Sequence, residues 1–133
     1  MTCAWLIHSF LVGYGRVTAS ASAFFDATGG LWATGALHGK FAGIFTASAS
    51  QHGGQETTAL TTVPFLAHHG IAFVPIGFAA SQLTDNSEIV GGSAYGAAAI
   101  AGGDGSRAVS PKGQHFVHLF SDAKASVSGR QSH

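Results

Sequence analysis

Phe41-Ala42-Gly43-Ile44-Phe45-Thr46-Ala47-Ser48-Ala49-Ser50-Gln51-His52-Gly53-Gly54-Gln55-Glu56 is the stretch on which the organisation of the chain turns. The apolar run Phe41 to Phe45 predicts a short buried strand. Small residues follow, Thr46 to Ser50, and after Gly53-Gly54 a helical pattern begins near Gln55. Strand, small-residue loop and helix N-terminus make a ligand cradle in an open α/β sheet, because such sheets bind at the carboxyl ends of their strands. Small side chains let a flat ligand approach the backbone. Free N–H groups and serine hydroxyls can then bond its carbonyls and nitrogens. The pattern alone is weak, since many Gly/Ser loops bind nothing.

Downstream, Glu56 to Ala67 predicts a helix with Leu60, Val63 and Leu66 at a spacing of three, weakened by threonines and Pro64. His68-His69-Gly70 ends it, because glycine suits the C′ position and histidines suit the helix dipole. Ile71 to Ile76 predicts a second apolar strand. Thr57 to Thr84 holds no Asp, Glu, Lys or Arg and is long enough to cross a bilayer. Pro64, the histidine pair, Gly70 and Pro75 divide that span, which favours a buried helix and a buried strand. Gly77 to Arg107 is mostly loop, and long loops tend to be functional or to lie between subunits. Phe116, Val117, Leu119 and Phe120 predict a terminal helix within 111 to 133, with a Ser-rich tail.

Upstream, Ala4 to Tyr14 is mostly apolar and precedes Ala-Ser-Ala-Ser-Ala at 19 to 23. That resembles a signal peptide, but no Lys or Arg precedes the apolar part and His8 interrupts it. The alternative is a buried strand, Phe10 to Gly13, with a turn at Tyr14-Gly15-Arg16. Residues 19 to 28 have poor helix propensity, yet Phe24 and Phe25 call for burial, and Thr28-Gly29-Gly30 stops the segment. Leu31-Trp32-Ala33 follows, with a turn at Gly35. In this Gly-flanked setting Trp32 is either core or part of a binding surface. Strand, helix and strand with glycine-marked crossovers predict a parallel sheet with covering helices.

A chain of 133 residues is expected to be one domain at most. Charged residues make up 9%, against about 25% in average domains. Six basic residues balance six acidic ones, so nucleic acid is not an expected partner. So charge-poor a surface points to subunit association. Cys3 is the only cysteine, which excludes an internal disulfide and cysteine-based metal sites. The eight histidines show no zincin spacing; His115 and His118 could share a helical face, and an ordinary polar face is the favoured reading.

Leu31-Trp32-Ala33-Thr34-Gly35-Ala36-Leu37-His38-Gly39-Lys40, Gly53-Gly54-Gln55-Glu56-Thr57-Thr58, Leu66-Ala67-His68-His69-Gly70 and Ala101-Gly102-Gly103-Asp104-Gly105-Ser106-Arg107 together closely resemble the flavodoxin-like NAD(P)H:quinone oxidoreductases of the tryptophan-repressor-binding-protein type. The resemblance covers about residues 22 to 109 of a single domain, leaving 110 to 133 divergent. It implies an α/β, flavodoxin-like parallel sheet with covering helices, and a cytoplasmic FMN enzyme, usually tetrameric. It further implies that NAD(P)H passes two electrons to a quinone, with no membrane partner. By position, Ala47, Ser48, Ala49, Ser50, His52 and Gly53 match the family's flavin loop. Here the loop carries Ala-Ser-Ala-Ser-Gln-His-Gly-Gly in place of Ser-Thr-Gly-Thr and a glycine run. His68 matches a histidine beside the isoalloxazine, its alternative being a helix cap. Trp32 matches an aromatic of the nicotinamide and quinone pocket, reached across a subunit interface. Tyr14 and Gly15 match an aromatic-Gly pair that packs on the flavin.

The sequence also departs from the family. The first strand, its phosphate loop and the second strand have no counterpart here, so the expected sheet is incomplete and N-terminally truncated, with an exposed edge. No residues match the FMN phosphate site. Two expectations follow: a quinone reductase that holds FMN through its isoalloxazine loops, completed by partner subunits; or an inactive fragment or interaction protein with weak or no FMN binding.

Overall fold

The computed structural model describes residues 5–114 and 118, with backbone alone for 5–10. Cys3 and, apart from His118, the residues beyond Gln114 lie outside this range. So do Phe116, Val117, Leu119 and Phe120, on which the expected terminal helix rests; a helical turn at 111–114 falls within it.

Strand β1 (Trp5–Gly13) and strand β2 (Arg16–Val17) form an antiparallel hairpin closed by Tyr14-Gly15. Both turn residues have positive φ, 53° and 79°, which matches the right-handed twist of the flanking strands. Helices α1 (Ala19–Asp26) and α2 (Gly29–Ala33) lead to β3 (Phe41–Ser48). Helix α3 (Gln55–His68) crosses over to β4 (Ala72–Phe73). A single 3₁₀ turn (Ser81–Leu83) precedes β5 (Gly92–Ser93) and β6 (Gly96–Ile100). The sheet order is β2-β1-β3-β6-β5, with β4 also on β3; β1, β4 and β6 all run parallel to β3. The sheet is mostly parallel with helices packed on it, as expected, and the antiparallel pairings of β2 and β5 make it mixed.

Strand β3 is its axis. Ala42, Ile44, Thr46 and Ser48 are buried on one face, where Ala42 and Ile44 pack with Ala59, Leu66 and Ile71, and with the half-buried Val17, Ala21 and Phe25. Phe45 points the other way, onto Ala80, Ala97, Ile76 and Leu83. Pleat alternation makes these two cores, one under α3 and one under the 76–83 segment.

Several local expectations are corrected. The apolar stretch Ile71 to Ile76 pairs only at Ala72 and Phe73. One edge of β3 is shared: β4 takes Phe41 and Ala42, and β6 takes Ile44 to Ser48. Pro75, without an N–H, could not extend the ladder in any case. Gly96-Ala97-Ala98-Ala99-Ile100, expected as loop, is a strand instead. It is small because it lies close to β3: a Cβ on Gly96 would sit 2.1 Å from the Ile44 carbonyl oxygen. Gly29-Gly30 opens α2 and so does more than stop the preceding segment. Phe24 is 60% exposed, while Phe25 is covered by stacking on Phe65 at 3.9 Å.

Helix α3 has the expected bounds but a different buried face. Its inward stripe is Gln55, Thr58, Ala59, Thr62 and Leu66, and Leu60 is exposed. Thr58 and Thr62 are fully buried because their hydroxyls donate to the carbonyls of Gly54 (2.8 Å) and Thr58 (2.7 Å), one turn back. Among the described residues no helix is long and apolar enough to cross a membrane.

Candidate flavin site

The parallel strands β1, β3 and β6 end on one side of the sheet, and three loops gather there. The β3–α3 loop, Ala49 to Gly54, is stitched to the loop after β6: the Ala101 N–H donates to the Ser48 carbonyl (2.8 Å) and the Gly102 N–H to that of Ala49 (3.1 Å). On its other flank stands the Tyr14-Gly15 turn. Gly54, with φ at +88°, caps α3, and a Cβ on it would lie 2.7 Å from the Gly15 Cα. A Cβ on Gly15 would in turn meet the Thr57 hydroxyl at 2.8 Å. Glycine at both positions lets the hairpin rest directly on the first turn of α3.

Within the loop, Ser48 is buried and Ala47 half-buried, whereas Ala49, Ser50, Gln51 and His52 are exposed. The Ser48 hydroxyl donates to the Ser50 carbonyl (2.8 Å), which also accepts the Gly53 N–H (3.1 Å). A Cβ on Gly53 would lie 3.0 Å from both the Ser48 Cβ and the Ser50 oxygen, so the loop is closed tightly there. The N–H groups of Ser50, Gln51, His52 and Gly54 have no partner among the described residues. Helix α3 adds the open N–H groups of its first turn. Tyr14 is fully exposed beside them. The edge therefore offers a row of backbone donors over small side chains, with an aromatic ring at its rim. That donor set suits the carbonyls and nitrogens of a flat heterocycle. No Lys or Arg lies between Ala47 and Gly53.

Trp32 and His68 lie elsewhere. Helix α3 is 14 residues long, so His68 at its C-terminal end stands about 20 Å from Gln55. Trp32 shares that far side. Thr28, which caps α2, meets His69 Nε2 through its hydroxyl oxygen at 2.9 Å, and the Gly39 N–H donates to the Gly70 carbonyl at 2.9 Å. Both Trp32 and His68 are exposed. One chain thus brings together Tyr14, Gly15 and Ala47 to Gly53, and holds Trp32 and His68 at the opposite edge.

Two buried polar residues to which the sequence reading gave no site role stand out, Gln55 at the loop and His69 at the far edge. Gln55 is buried and bridges Ser48 to Gly92. Its only signal is a polar residue opening a helix after Gly-Gly. His69 is 8% exposed, beside Phe65 at 4.7 Å. The Thr28 hydroxyl donates to the Phe25 carbonyl (2.6 Å) and so accepts from His69 Nε2, which leaves Nδ1 bare and without a partner.

Comparison with known proteins agrees with this architecture. Over 94 residues the chain is 53% identical to a Caulobacter vibrioides NAD(P)H dehydrogenase (quinone), covering 71% of this chain and 47% of that protein. It is 47% identical over 128 residues to the NAD(P)H quinone oxidoreductase PST2 of Candida albicans, covering 87% of this chain and 64% of that one. With the quinone-oxidoreductase QR2 of Triphysaria versicolor it shares 52% identity over 103 residues, 77% of this chain and 50% of the relative. The chain is a homologue of the NAD(P)H quinone oxidoreductases. It spans about half the length of most of these relatives. The fold is that of a flavodoxin, WrbA-like protein from Agrobacterium tumefaciens, with a TM-score of 0.70 over 95% of this chain and 66% of that structure at 20% identity. No family model matches the sequence. Among the described residues, the loop between β3 and α3 is where open backbone donors lie over small side chains.

Proposed function

We propose that the chain carries the flavin- and quinone-handling part of an FMN-dependent NAD(P)H:quinone oxidoreductase that works as a homo-oligomer. The observation that supports it best is the seating of Tyr14-Gly15 on the open-donor loop at the C-terminal ends of β1 and β3. FMN, when bound, supplies the passage of two electrons from NAD(P)H to a quinone. The chain's own residues bind and orient. The N–H groups of Ser50, Gln51 and His52, with the Ser50 hydroxyl, would hold the ring through its carbonyls and nitrogens. Gly15 and Gly53 permit close approach, Ala47 and Ser48 hold the loop to the sheet, and the Tyr14 ring shields one side from water. The N-terminus of α3 favours negative charge nearby. Trp32 and His68 serve the site of a neighbouring subunit, because their own loop is a helix length away.

The second reading, an inactive fragment or interaction protein, draws support from the lack of any Lys or Arg in the 47–53 loop to meet a phosphate. Turnover separates the two. With saturating FMN, the chain is expected to oxidise NAD(P)H at the expense of a quinone, and Trp32→Ala to lower kcat/KM for the quinone about tenfold, the loss of one aromatic contact. Absence of turnover at saturating flavin supports the second reading. Unchanged quinone kinetics in an active Trp32→Ala preparation removes Trp32 from the site.

A further inference from the structure

We propose that Gln55 is a positioning residue: its side-chain amide sets the direction of a hydrogen-bond chain that holds the Ser48 to Gly53 loop in shape. The link to flavin rests on the function proposed above; the loop-setting role does not. The Gly92 N–H can only donate, so the oxygen of the Gln55 amide faces it, at 2.9 Å. The amide nitrogen then faces Ser48 Oγ, at 2.7 Å, and must donate to it. Ser48 is left with one use for its own proton, the Ser50 carbonyl at 2.8 Å. The sequence Gly92 N–H to Gln55, Gln55 to Ser48, Ser48 to Ser50 therefore runs in one direction only.

Gln55 is 8% exposed and Ser48 is 6% exposed, so water does not readily replace either partner. The chain starts at β5 and ends in the turn that presents the open N–H groups. It also commits the Ser48 hydroxyl internally, which leaves Ser50 and the backbone as the donors open to a ligand.

Glutamate at position 55 keeps the shape and reverses the polarity. A carboxylate accepts from Gly92 and also from Ser48, so the Ser48 proton leaves the Ser50 carbonyl and the turn is released. When that carboxylate is protonated it donates to Ser48 again and the original direction returns. Methionine at 55 removes both Gln55 bonds at every pH, so that nothing fixes the direction of the Ser48 hydroxyl.

The test uses the full chain with Gln55→Glu and Gln55→Met. FMN affinity is followed by flavin fluorescence between pH 4 and 8, alongside amide exchange at residues 48 to 54 and thermal unfolding. Gln55→Glu is expected to bind FMN about tenfold more weakly at neutral pH. It should recover on acidification, a step that Gln55→Met lacks, while exchange at the Gly53 amide accelerates in both. Wild-type affinity and wild-type exchange in the two variants overturn the proposal. If the unmodified chain binds no flavin, the flavin reading fails and exchange alone decides: faster Gly53 exchange supports the loop-setting role, and unchanged exchange overturns it. Gln55→Met, which buries no charge, carries the same exchange test if the glutamate variant does not fold.

Discussion

Gly54 must hold φ at +88°, cap a helix and touch the Gly15 backbone, and no side chain satisfies all three. Gly54→Ala is expected to destabilise the fold by about 2–3 kcal/mol, combining backbone strain with a collision that flexible atoms cannot relieve. Urea denaturation measures it; a loss below about 0.5 kcal/mol would mean that the hairpin is free to move off α3. A second residue-scale contact ties down the far edge. Thr28 offers the buried His69 Nε2–H its acceptor. Thr28→Val keeps the volume and leaves that donor unpaired, for an expected cost of about 1–3 kcal/mol by the same method. Stability equal to wild type would show that His69 finds another partner.

At the scale of elements, the 85–89 loop is clipped to the chain after β6. Lys112 Nζ bonds Asp85 Oδ2 and the Ser87 hydroxyl (2.7 Å), and Arg107 donates to the Ile89 carbonyl (2.8 Å). The Lys112 ammonium, followed by the Ser87 hydroxyl and N–H, holds the Asp85 carboxyl well below the usual carboxylate range. A depressed carboxylate contributes fully above its unfolded value, about 3.9, and loses that contribution as the pH falls below it. Lys112→Met is therefore expected to speed amide exchange at 85–89 near neutral pH, with the difference shrinking on acidification below that value and in high salt. The pair is exposed, so the effect on global stability is small. A difference independent of pH and salt would assign the clip to Arg107 and the backbone.

The elements also show what the sequence carries legibly. Phe41 to Phe45 announces β3 because a central parallel strand is apolar on both faces. The bounds of α3 are marked by Gly53-Gly54 and by Gly70, whose φ of +67° is the left-handed stop expected of it. Its buried face is not legible, because Thr58 and Thr62 are polar in the sequence and satisfied by their own helix. β6 hides for a related reason: alanine and glycine have low strand propensity, and the closeness of β3 that demands them is invisible locally. The length of the β4 pairing depends on competition for one edge of β3, which no local pattern encodes. In the site, the loop was readable as small residues between a strand and a helix. Gln55 was not, since its role is set by Gly92, 37 residues away.

For the whole molecule, the candidate flavin edge and the Trp32–His68 edge lie a helix length apart, which is why the function proposed above calls on a neighbouring subunit. The loop offers backbone donors to a ring and no Lys or Arg to a phosphate. The most direct measurement is a titration of the purified chain with FMN and with riboflavin, followed by flavin fluorescence, with sizing on the same sample. The account predicts saturable one-per-chain binding in a defined oligomer, no tighter than about 10 μM, with the two flavins within about fivefold of each other, under 1 kcal/mol apart. Absence of saturable binding to either flavin would contradict the isoalloxazine site. FMN bound far more tightly than riboflavin would contradict a site built on the ring alone.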